Sequence, residues 1–272
     1  MTTVADPPST SARAAPRAGH GLTTLLPLTV PVVLVVLWQL ASLVIDRTAL
    51  PTPWQTLVAF GQGITDGWLL EGLGVTLRVV LVAFVLAGLA GLAVGLWLGA
   101  SRFWGEVLDT PLLWTYALPK ITIFPVFLLV FGLGDSSRTA FGAFHGFFPM
   151  AILVLTGVRA IPPVYLRSAR SLGLTRWETV SRVLVPATLP SIFSGLRFCF
   201  SLCFLGVVLA EMFGSAEGAG YELVRRISLQ QLPEIFALAL SLMTVALLVN
   251  LIMIAIENRV LPVGGRTGGT TR

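Results

Sequence analysis

Few residues in this 272-residue chain could do chemistry, and most of them stand inside apolar runs. Cys199 and Cys203 are four apart, the spacing of a thiol pair or half a metal site on one helix face. No histidine cluster accompanies them, so they read as small buried apolar residues. His145, in "AFHGFF", is an ionisable group in apolar sequence and therefore a functional candidate by default. With no carboxylate near it in sequence, an interhelical hydrogen bond is the simpler reading. Lys120, in "LPKIT", either snorkels at the inner interface, which the sequence favours, or faces a central path. Glu211, in "LAEMFG", is the intramembrane acid, near the outer end of its run. A carboxylate at that depth must be hydrogen-bonded or paired with a basic group. Together these residues supply no nucleophile–base pair and no metal cluster. Nor can they bind ATP: a P-loop needs Gly-Lys followed by Ser or Thr, whereas the single lysine lies between Pro119 and Ile121.

The elements that hold these residues are set by solvent. The chain is 55% hydrophobic and 11% charged, against about 45–50% and 25% for a soluble domain, and its mean hydropathy is +0.87. Six segments reach the roughly 20 residues needed to cross a hydrocarbon core: 25–45, 76–100, 112–133, 138–158, 191–212 and 235–256. Backbone groups left unpaired in lipid cost several kcal/mol, so these runs must be helical. The expected fold is all-α, a polytopic membrane protein with six transmembrane helices. Residues 1–20, rich in Pro, Ala, Ser and Thr, read as a disordered tail, 21–262 as the membrane domain, and 263–272 as a second tail. The first apolar run is too long for a secretory signal core and lacks a small-residue cleavage site.

Basic residues set the orientation. With a cytoplasmic N-terminus, eleven arginines fall inside (13, 17, 102, 159, 167, 170, 176, 182, 259, 266 and 272) and five outside (47, 78, 138, 225 and 226). Lys120 and Arg197 remain within spans. Arg225 and Arg226 conflict with this orientation, though Glu222 and Glu234 flank them. Both termini are then cytoplasmic. The net charge of +5 fits the anionic inner leaflet and, without an aromatic–basic platform, gives no argument for nucleic acid.

This orientation makes 159–190 a cytoplasmic loop, and 167–190 is the most charged long stretch of the chain. Pro162 and Pro163 suit a first helical turn, and Gly173 suits a helix stop. "TRWE", from Thr175 to Glu178, matches a capping box. The expectation is helix, bend, helix, with the second helix ending near Pro186 and Pro190 opening the fifth span. The bend offers Leu172, Gly173, Leu174 and Trp177 beside several arginines. It is either an amphipathic pair resting on lipid or a projecting docking surface.

This stretch resembles the cytoplasmic EAA loop of permease subunits in binding-protein-dependent ABC importers. The pattern there is Glu-Ala-Ala, three residues, Gly, nine residues, then Ile-x-Leu-Pro. It falls here on Arg167, Ser168 and Ala169, on Gly173, and on Val183 to Pro186, with Arg167 standing where the family has its acid. "LPTPWQTLVAF", "FPVFLLVFGLGDSSR" and "LAEMFGSAEGAGYEL" are similar to segments of the nitrate/sulfonate/taurine branch. Together the four motifs cover roughly residues 50–256 in order.

The resemblance implies a type I (MetI-like) importer permease. It implies a dimer with a second copy or a homologous permease, two cytoplasmic ATP-binding subunits and an extracytoplasmic binding protein. No cofactor is expected on this chain, with ATP and Mg on the partner ATPase. The loop would then be a lever that docks on the ATPase through Arg167, Ser168, Ala169, Leu172, Gly173, Leu174, Trp177 and Pro186. Lys120, His145, Glu211, Gly214 and Gly220 are the candidates for path or gate. Gly214, Gly218 and Gly220 suit a tight or re-entrant turn, which Glu211 would anchor over the outer mouth. Lys120 facing the path in both copies would favour an anion such as a sulfonate, taurine or nitrate. Hydroxymethylpyrimidine- or riboflavin-type substrates stay open. A secondary transporter is the weaker rival: no internal repeat is visible, and ion-binding carboxylates are lacking at mid-membrane.

Overall fold

Helix is the only regular structure among the described residues. A computed structural model describes residues 22–45 and 50–261. The readings made on 1–20 (with His20, Arg13 and Arg17), on Arg47, and on 263–272 (with Arg266 and Arg272) lie outside the described residues.

The chain divides at Pro53 into two units. The first holds α1, Leu22–Val44, where the Trp38 indole donates to the Pro51 carbonyl at 3.0 Å. The second begins with α2 (Pro53–Thr65), then α3 (Trp68–Ala100), α4 (Arg102–Ala117), α5 (Phe124–Phe131) and α6 (Asp135–Arg159). It continues with α7 (Pro163–Ser171), α8 (Arg176–Thr179), α9 (Val185–Gly214), α10 (Ala219–Ser228) and α11 (Leu232–Val260).

Among the described residues four unbroken helices are long and apolar enough to cross a membrane: α3, α6, the continuous stretch Trp177–Gly214, and α11. Two expected boundaries need correction. The run 112–133 is not one helix: α4 and the stretch Lys120–Phe131 meet at an angle of 88°. Pro119 cannot donate to the ladder and disfavours α geometry at Leu118. Leu118 is accordingly extended, and a short 3₁₀ turn at Lys120–Ile123 follows. The second correction is at the fifth span, where helix continues from Arg176 straight into α9 instead of ending near Pro186. A π-turn at Val180–Leu184 leads into Pro186. Thr188 Oγ1 donates to the Leu184 carbonyl of the preceding turn at 2.8 Å.

The core is α3, α6 and α9. Glycines permit the close approach: a Cβ at Gly91 would lie 2.7 Å from that of Met150, and one at Gly99 would lie 2.6 Å from that of Val158. These contacts run in the same order along both helices, so α3 and α6 are parallel. Gly142 faces Val207 and Gly146 faces Cys199 and Cys203, making α9 antiparallel to both. The two cysteines are fully buried and free, their sulfurs 4.0 Å apart. Among the described residues no cluster of three potential metal ligands occurs.

Candidate functional site

At the α7–α8 bend, sequence chemistry becomes geometry. Pro163 opens α7 in its first turn. The Gly173 amide bonds to the Arg170 carbonyl at 3.0 Å, and the Leu174 amide to the Ala169 carbonyl at 3.1 Å. This is a Schellman stop, and it requires the left-handed backbone that Gly173 adopts at φ 66°. Two residues later the capping box closes. The Thr175 amide donates to Glu178 Oε2 at 3.0 Å, and the Glu178 amide donates to Thr175 Oγ1 at 3.3 Å. The two caps fix the bend, while Leu172 and Trp177 stay 76% and 77% exposed. Arg167, Ser168 and Pro186 are exposed as well, Leu174 is half-buried and Ala169 is buried.

A second cluster forms at the opposite end of the core, where α6 begins and α9 ends. Glu211 and Arg138 are 1% and 2% exposed. The Thr76 hydroxyl from α3 lies 2.8 Å from Glu211 Oε2 and accepts from the Ala219 amide at 2.8 Å. The Gly220 amide donates to Glu211 Oε2 at 2.9 Å. Arg138 Nη1 lies 3.9 Å from Glu211 Oε1 and donates to the Glu217 carbonyl at 3.3 Å. Its Nη2 bonds the Glu217 carboxylate at 2.8 Å and also that of Asp135. Asp135 in turn holds Arg78 at 2.7 Å. Gly218, at φ 100°, lies against the Glu211 carboxyl, so a side chain there would collide with it. Gly214 ends α9 beside Phe124 and Leu128 of the broken span.

Lys120 sits at that break. It is 9% exposed, and its ammonium donates to the Tyr116 carbonyl at 2.8 Å. It lies 4.4 Å from the centre of the Tyr116 ring and 5.5 Å from that of Phe148. Phe148 is near the middle of the 25-residue α6. The Pro119 break thus turns Lys120 inward onto Tyr116 and Phe148. His145 also departs from expectation. Its Nδ1 pairs with the Phe141 carbonyl of its own helix at 3.1 Å, and Gly206 of α9 packs against its Cβ and Cγ.

Residues 87–262 match the family of binding-protein-dependent transport system inner membrane components. The chain belongs to this family. It is a multi-pass membrane permease, a transport component and not an enzyme. A putative aliphatic sulfonates transport permease of Bacillus subtilis is 31% identical over 77% of this chain and 77% of its own. A nitrate import permease of Synechococcus elongatus is 31% identical over 81% of this chain and 83% of its own. A formylaminopyrimidine transport permease of Halalkalibacterium halodurans is 28% identical over 84% and 92%. The crystal structure of an amino acid ABC transporter with histidines shares the fold, with a TM-score of 0.55 at 19% identity, over 73% of this chain and 97% of that one.

In the permease, the bend and Glu211 were legible in sequence, whereas Arg138 and Thr76 were not. Arg138 was placed among external loop charges because it stands at a span end. Its neighbour Asp135 and the acid Glu217 were the available signals. Arg197 was left unpaired within its span, yet it meets the Glu257 carboxylate of α11. Arg225 pairs with Glu222 at 3.1 Å, and Arg226 pairs with Glu222 and Glu234 while stacking 4.0 Å over the Trp68 ring.

Proposed function

We propose that this permease forms, with a second permease copy, the path of an ABC importer for a small oxyanion such as a sulfonate or nitrate. Both termini and the 159–190 segment face the cytoplasm, where two ATP-binding subunits hold ATP and Mg. An extracytoplasmic binding protein delivers substrate at the Glu211 end. The observation that carries the coupling role is the doubly capped bend with Leu172 and Trp177 exposed. A rigid apolar knob can seat in a cleft on the ATPase and pass its closure through α7 and the continuous helix Trp177–Gly214 into the core. The Glu211–Thr76–Gly220 cluster then anchors the turn before α10 over the outer mouth. A pyrimidine-type substrate is the second reading, favoured by the formylaminopyrimidine relative.

The coupling role is tested by co-purifying tagged Leu172→Ala/Trp177→Ala permease with its ATPase. These side chains are exposed, so the variant should insert and keep its thermal stability while losing most of the bound ATPase. Retention of the ATPase at the parental level rejects the bend as the contact. Uptake of labelled ethanesulfonate, nitrate and hydroxymethylpyrimidine by the complete transporter separates the two substrate readings.

A further inference from the structure

Lys120 carries a charge that the fold buries but does not answer. The other basic groups drawn into the helices all meet carboxylates: Arg138 meets Asp135 and Glu217, Arg197 meets Glu257, and Arg226 meets Glu222 and Glu234. Among the described residues, Lys120 hydrogen-bonds the Tyr116 carbonyl and lies against two aromatic rings and near the imidazole of His145, with no carboxylate in ion-pair reach. One of its three donors is thereby used.

Its depth makes this costly. Arg159, at one end of α6, pairs with Asp109 of α4. Lys120 lies eleven residues further along the chain and reaches the ring of Phe148. At about 1.5 Å per residue, Phe148 is roughly 20 Å from the Asp135 end of α6 and 17 Å from the Arg159 end. An ammonium at this level, paired with no anion, bears a desolvation penalty that cation–π contacts offset only in part. The backbone argues the same way. Non-helical chain at membrane depth persists only where it is buried in protein or lines a water-filled cavity, and Lys120 opens just such a break. A capping role for the Tyr116 carbonyl would not by itself require a charge, since a neutral donor would serve.

We infer that Lys120 is the counter-charge for the anionic group of the transported solute at mid-membrane, with Tyr116 and Phe148 forming the apolar wall beside it. This rests on the oxyanion reading above and names the residue that makes the path selective for charge. The break at Pro119 presents the ammonium, and its two unused N–H donors match the oxygens of a sulfonate or nitrate.

The test compares parent, Lys120→Met and Lys120→Arg in the complete transporter, with ATPase and binding protein, in proteoliposomes. ATP-driven uptake of ethanesulfonate and nitrate is measured beside the thermal stability of each complex. Lys120→Met should lose at least tenfold in uptake and Lys120→Arg only a few-fold, with both inserted and both still hydrolysing ATP when the binding protein docks. Anion uptake by Lys120→Met at the parental rate overturns the assignment and leaves the oxyanion reading standing. If instead both variants lose thermal stability and uptake in equal measure, Lys120 is a helix cap and the assignment fails. If the parent carries neither anion but carries a neutral pyrimidine, the oxyanion reading falls and this inference falls with it.

Discussion

The two ends of the α3–α6–α9 core handle polarity in opposite ways. At the Asp135 end, Glu211, Thr76 and the Gly220 amide bond one another, and buried Arg138 bonds Glu217 and Asp135 beside them. At the α7–α8 bend the backbone is equally well capped, but Leu172 and Trp177 are left in the open. A satisfied buried network specifies one geometry and is lost whole when a member is removed. An exposed apolar pair on a fixed bend contributes nothing to the isolated chain and gains its value from a partner. Substitutions at the first end should therefore be read in stability, and substitutions at the second in coupling.

The largest effect is expected from Arg138→Met. It leaves Asp135, Glu217 and Glu211 facing one another without their shared cation. Removing one partner of a fully buried ion pair costs about 3–5 kcal/mol, and the cost here falls below that because Asp135 and Glu217 are half exposed and screened by solvent. The variant should show a large fall in melting temperature in detergent and reduced membrane yield. A melting temperature equal to the parent's would mean that the cluster is solvated and the contrast between the two ends is false.

Glu211 sharpens the same end. Arg138 keeps Asp135 and Glu217 whatever happens at Glu211, since the Glu211 contact is the longest of the set at 3.9 Å. What depends on Glu211 is the Gly220 amide, and less so the Thr76 hydroxyl, which can also donate to the Gly72 carbonyl at 3.0 Å. Glu211→Gln retains an acceptor for both and should transport near the parental rate. Glu211→Ala strands the Gly220 amide, at about 1–3 kcal/mol for an unsatisfied buried group, and should impair transport while the binding protein still docks. Loss of transport already in Glu211→Gln would transfer the role from the turn to the charge. Parental transport in both variants would remove Glu211 from any gate.

At the other end, Gly173→Val forces a β-branched residue into φ 66°, at about 1–2 kcal/mol. Nothing lies within 4 Å of the added Cβ, so the strain stays in the bend. The expected result is an inserted permease with near-parental melting temperature, whose ATPase no longer drives uptake. Normal uptake would show that the bend need not be rigid, and would undo the comparison.

How far sequence reaches differs between the same two ends. The bend was legible because its signals are local: Pro163, Gly173 and the Thr175–Glu178 spacing act within one turn of themselves. The cluster was only half legible. Glu211 announced a need for partners, but Thr76 and Arg138 come from other helices and meet it only after packing. Proline was misread in both directions. At Pro119 the helix breaks, whereas at Pro186 a π-turn leads into the proline and the helix continues. The same residue type gives either outcome, and the neighbours that decide between them include tertiary ones.

The smallest effect concerns pH at the bend. Glu178 accepts from the Thr175 amide and hydroxyl and lies near Arg182. These hydrogen bonds, the amide's first, hold its carboxyl below the usual carboxylate range. A carboxylate depressed in the folded state stabilises that state fully above its unfolded pKa. The contribution is lost as pH falls through the folded value. The cap should therefore be indifferent to pH between about 8 and 6 and weaken only in acid, below the range where free glutamate titrates, near 4. Hydrogen exchange at the Thr175 amide, normalised to its intrinsic rate, reads this directly. In the parent, protection should fall on acidification. In Glu178→Gln, which keeps an oxygen but cannot ionise, it should start lower and stay flat. The same acid response in both proteins would mean that the loss comes from the membrane core and not from the capping box, and that the bend owes its rigidity to the Gly173 stop alone.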